Sequence, residues 1–108
     1  MKVSKSYQLF EQEVPTVHKA WMEAVYTLES ASALDKKTKE LAYLAVMAAA
    51  RLDSGLPFHV KMAKSFGATR DEIISSILVG LPAVGNVVIQ SLPIALAAYD
   101  ELTEQGNQ

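Results

Sequence analysis

Cysteine is absent from all 108 residues. That removes disulfides, thiolate metal sites and thiol nucleophiles from the chemistry open to this chain. Glycine and proline are sparse, at 5 and 4 residues, which leaves few places where a helix must break. Runs in which Val or Ile alternate with polar residues between turn signals are also missing, so strands are not expected. No cluster of Lys and Arg stands out from the acidic residues, and the net charge is -2. Phosphate neutralisation needs concentrated positive charge, so nucleic-acid binding is not expected. There is no glycine-rich phosphate loop, no strand-turn-helix serine elbow, and no pairing of the two histidines with carboxylates at metal-ligand spacing. Neither a metal nor a cofactor is therefore expected.

What the chain does have is apolar surface. Half of its residues are hydrophobic and only 20% are charged. A single domain of this length, spanning residues 1–108, has little interior in which to hide so much, and the excess predicts burial between subunits of a homo-oligomer. The opening Met1-Lys2-Val3-Ser4-Lys5 leads into a charged segment, unlike the apolar centre of a signal peptide, so a cytoplasmic location is expected. From Ile73 to Tyr99 no residue is charged. That stretch has the length of a membrane span. It also holds Gly80, Pro82, Gly85, Asn86, Gln90 and Pro93, and it reads as broken core and interface helices with no membrane contact.

Helical periodicity dominates the rest. A short piece over Tyr7–Glu13 precedes a long helix starting near Pro15, a residue suited to the first turn. On it Val14, Val17, Trp21, Val25 and Leu28 recur at spacings of three and four as one apolar stripe, with Trp21 reading as core and His18 beside the stripe at the surface. Asp35 caps a second helix running to about Leu52. Its segment LAYLAVMAAA, Leu41 to Ala50, is apolar all round and predicts burial on most sides, Tyr43 included. Asp53-Ser54-Gly55 is a turn, and a helix follows from about Pro57 to Phe66, ended by Gly67. Thr69 and Glu72 form a capping box for a helix to about Val79. After the Gly80–Pro82 break a last helix is expected over Ala83–Leu102, with Pro93 as a kink and a frayed tail from Thr103 to Gln108. Asn86, Gln90 and Ser91 lie in this apolar segment and are expected to bond backbone groups or one another.

The text LDKKTKELAYLAV, then a turn, then FHVKMAKSFGATRDEI resembles the carboxymuconolactone decarboxylase family, which includes the AhpD-like alkylhydroperoxidases. The resemblance implies an all-α, AhpD-like fold of about five to six helices, assembled as a trimer or hexamer. It also implies an acid/base site with His59 as the catalytic group and Glu40 as its relay carboxylate. In the peroxidase branch the pattern resembles Glu, then Cys-x-x-Cys-x-x-x-His. Counting back from His59 puts Leu52 and Gly55 where the cysteines would stand. Peroxide reduction by that route needs an activated thiolate and a resolving thiol, and neither residue supplies one.

The decarboxylase branch needs no sulfur. The chemistry it implies is loss of carbon dioxide from a carboxylated lactone, with a group to move a proton and a pocket for a small organic acid or lactone. Arg51, Lys61 and Arg70 are the candidate cations for a substrate carboxylate, and Leu52, Gly55 and Asn86 are candidate pocket residues. A rival reading is a non-catalytic, homo-oligomeric binding protein that keeps the scaffold. Glu40 lies roughly 12 residues, or about 18 Å along a helix axis, before the turn that leads to His59. Their meeting requires a sharp helix crossing, a bridging water or a second subunit.

Overall fold

A computed structural model describes residues 3–101; the tail from Thr103 lies outside them. Among the described residues there are no strands. The elements are α1 (Lys5–Glu13), α2 (Pro15–Ala31), α3 (Lys36–Ala50), α4 (Leu56–Ser65), α5 (Arg70–Ile77), the single turn α6 (Leu81–Val84) and α7 (Leu92–Asp100). Short 3-10 segments occupy Asp53–Gly55, Leu78–Gly80 and Gly85–Ser91. This is the all-helical architecture that the periodicity predicts.

The predicted caps form at Asp35, which accepts from the Thr38 amide, and at Thr69 and Glu72, which make a reciprocal capping box. Ser4, which no sequence signal singles out, caps α1 by accepting from the Tyr7 amide. Gly67, at φ +94°, ends the α4 turn in the left-handed region. Helix α3 closes on Arg51 at φ 58°, with the Leu52 amide donating to the Met47 carbonyl, a six-residue return that satisfies the helix end.

Two carboxylates at these caps, and Asp100 at the end of α7, sit below their ordinary range. The Thr38 amide and hydroxyl hold Asp35 down; the Thr69 amide and then Lys37 hold Glu72 down; Arg70 holds Asp100 down. A depressed native pKa stabilises the fold above the unfolded value, 3.8 for Asp and 4.5 for Glu, and the gain is lost as pH falls through the native one. Thermal unfolding midpoints are thus expected to hold down to about pH 5 and to fall below about pH 4.5. Thr69→Ala, which removes one cap, should cost about 1 kcal/mol in denaturant titrations at neutral pH.

The core lies among α3, α4, α5 and α7. Leu44, Leu56, Val60, Ile73, Ile77 and Val88 are sealed from solvent, and Ala48, Ala63 and Ala95 let the helices approach closely. Buried Ser76 donates to the Leu41 carbonyl, and Tyr99 bonds the Ala68 carbonyl.

Three expectations need correction. The stripe on α2 does not face its own core: Val14, Val17, Trp21 and Leu28 are exposed. Helix α1 packs instead beside that stripe, on His18 and Met22, and of the stripe only Val25 is half-buried. His18 is accordingly half-buried, with its ring 5.5 Å from Tyr7 and 5.7 Å from Phe10. Helices α1 and α2 pack on each other and only slightly on the rest of the chain. Next, α3 is not enclosed. Glu40, Leu44, Met47 and Ala48 face inward, while Tyr43 and Val46 remain 46% and 59% exposed. An all-apolar helix surface signals burial, but one small subunit covers only one side of it.

Finally, the last helix is not continuous. Gly85, at φ 69° and ψ -142°, interrupts it, and Pro93 sits in the first turn of a new helix. Proline begins a helix more readily than it bends one. The run Arg70–Asp100 is long and apolar enough by composition to cross a membrane, yet it is folded into separate pieces.

Candidate functional site

Glu40 and His59 meet within one chain. His59 Nδ1 lies 2.9 Å from Glu40 Oε2, with no second subunit required. The turn after α3 makes this possible by doubling back along the helix it leaves. A Cβ on Gly55 would lie 2.6 Å from the Met47 methyl, so α4 starts already alongside α3 and about two turns short of Glu40. His59, in the first turn and a half of α4, is carried the rest of the way.

The Glu40 side chain is 11% exposed and the imidazole side chain 25%. Aromatic edges hold the ring: Tyr43 at 4.6 Å between centroids and Phe58 at 5.2 Å, both near perpendicular. With Glu40 accepting from Nδ1–H, the neutral ring carries its lone pair on Nε2. No buried side-chain nitrogen or oxygen lacks a partner among the described residues. Nε2, which makes no hydrogen bond to a described residue, therefore opens to solvent. A carboxylate-oriented imidazole with one free nitrogen is a competent proton acceptor and donor.

The other candidates sit differently. Leu52 is exposed in the turn, and Gly55 is half-buried beneath Met47. Asn86 is exposed on the Gly85–Ser91 segment and bonds neither His59 nor Glu40. The three cations are engaged: Arg51 with Asp53 at 2.7 Å, Lys61 with Glu101 at 3.0 Å and Arg70 with Asp100 at 2.9 Å. Arg51 also donates to Gln90, and Ser91 donates to Asp53 at 2.9 Å. This ties the segment before α7 to the turn before α4, and the partners of Gln90 and Ser91 are side chains of that turn. Tyr43, read as core in the sequence, is the site residue that sequence reasoning missed. Its place three residues after Glu40, on the same helix face, was the available clue. Two clefts open elsewhere, about 450 Å³ between α1 and α2 and about 660 Å³ between α3 and α5, and His59 lines neither.

Residues 15–97 match the carboxymuconolactone decarboxylase family. Among solved structures, the fold is similar to that of the apo form of a carboxymuconolactone decarboxylase family protein from Legionella pneumophila. The TM-score is 0.75 and the identity 25%, over 88% of this chain and 85% of that one. No curated protein matches the chain.

Proposed function

Because the chain belongs to the carboxymuconolactone decarboxylase family, we propose that it is a cofactor-free acid/base lyase acting on a small lactone or organic acid. The observation that carries this reading is the 2.9 Å contact between Glu40 and His59. Glu40 orients the ring and stabilises the imidazolium; His59 Nε2 moves the proton. In a decarboxylation the carbon–carboxylate bond breaks and its electron pair enters the conjugated lactone. His59, made an imidazolium beforehand by taking a proton from water on Nε2, gives that proton to carbon and returns to the neutral ring. A homo-oligomer, a trimer or hexamer as in the family resemblance, and a cytoplasmic location go with this reading.

The test is a panel of carboxylated lactones and keto acids in D₂O, followed by NMR for carbon dioxide loss and for deuterium entering at carbon. Turnover or exchange above the protein-free blank supports the reading. Neither, across the panel, removes it. Thiol-driven reduction of hydrogen peroxide or alkyl hydroperoxides is expected to stay at the blank rate, because Leu52 and Gly55 stand where thiols would be needed.

One observation favours a second reading. Arg51, Lys61 and Arg70 are each paired with a carboxylate, so none is in place to bind a substrate anion. A non-catalytic binder of small neutral molecules fits that arrangement. It predicts ligand-induced rises in melting temperature without exchange or turnover.

A further inference from the structure

The chain carries two unpartnered apolar helix faces, and one of them borders the His59 site. On α2, Val14, Val17, Trp21, Ala24, Leu28 and Ala31 follow a three-four spacing and are all exposed. This seam, about 21 Å from Val14 to Leu28, has the repeat that packs helix against helix. On α3, Tyr43, Val46 and Ala50 form a second exposed row, beside the edge of the His59 ring. We propose that the α1–α2 arm of one copy lies along the Tyr43–Val46 face of a second copy and covers its Glu40–His59 site. Each subunit then supplies the wall that its partner's site lacks.

Two observations commit the occupant to a second copy. The arm has no buried residue and little contact with its own bundle, and a helix of 17 residues gains most of its stability from packing. The site, moreover, is open: His59 lines neither cleft and its Nε2 faces solvent, while proton transfer to carbon gains from excluding water. A further apolar patch, Val79, Leu81, Val84 and Ile89, lies on single turns and 3-10 segments. It offers no continuous ridge for a long helix to pack against.

The inference rests on the site reading above, but its test does not need activity. Since the chain has no cysteine, single substitutions give unique handles. Ala24→Cys and Val46→Cys chains with different tags are co-expressed, purified through both tags and treated with a short bis-maleimide. The expected product is the mixed Ala24→Cys/Val46→Cys dimer, formed equally well when His59→Ala is added. Loss of turnover and loss of docking are thereby read separately. Dominant Ala24→Cys self-pairing, preferential linkage to a Val79→Cys chain, or a monomer by light scattering overturns the proposal. Trp21→Lys, with circular dichroism unchanged, should abolish both the assembly and the cross-link; an assembly that survives it also overturns the proposal.

Discussion

His59→Ala is expected to lower kcat on any lactone or acid the protein turns over by about 10²- to 10⁴-fold, the usual contribution of a positioned acid/base group. KM should change far less, because the ring moves a proton and does not anchor the substrate. Glu40→Gln keeps the shape of the site and leaves His59 present but no longer stabilised as an imidazolium, so its loss should fall mainly on kcat too, by a smaller factor. Steady-state kinetics on the two variants check this order. Equal activity of His59→Ala and wild type would remove the catalytic role. Glu40 is 8% exposed, so His59→Ala also strands a buried carboxylate; a stability measurement alongside separates that cost from catalysis.

The largest stability effect is expected at Leu44→Ala. Leu44 is fully buried on the inner face of α3, within the core shared with α4, α5 and α7. Truncating it removes about 2–5 kcal/mol, through lost burial and an unfilled cavity. That is a large part of the 5–15 kcal/mol typical of a small domain. Val46→Ala, two residues further on and on the helix's opposite, exposed face, should cost little in a subunit unfolding alone. If the assembly covers it, Val46→Ala should instead weaken association. Denaturant titrations at several protein concentrations distinguish the two, since a coupled oligomer unfolds at a concentration-dependent midpoint.

Local chemistry was legible in the sequence; partnerships were not. Asp35, Thr69 with Glu72, Pro15 and Gly67 each act through neighbours within a few residues, and each terminates or starts a helix where its chemistry requires. The apolar stripe on α2 was equally plain, but periodicity says only that a face seeks cover and not which surface supplies it. Trp21 and Tyr43 were read as interior for that reason, and in the single subunit both lie outside. The contact between Glu40 and His59 was hidden by a straight-line estimate along α3. The close return at Gly55 under Met47 shortens that path, and it depends on a contact between residues whose pairing no local pattern announces. Gly85 and Pro93 show the same limit: both are visible in the sequence, but it is Gly85, at φ 69°, that interrupts the last helix, while Pro93 starts the next one.

The proposed chemistry requires that Glu40 hold the His59 ring by its Nδ1 and leave Nε2 free to move a proton. With only two histidines in the chain, imidazole nitrogen NMR reads this directly, the His59 resonances being assigned by their disappearance in His59→Gln. In the neutral ring Nδ1 is expected to be protonated and Nε2 not, with that preference lost in Glu40→Gln. A His59 ring protonated on Nε2, unchanged by Glu40→Gln, would contradict it.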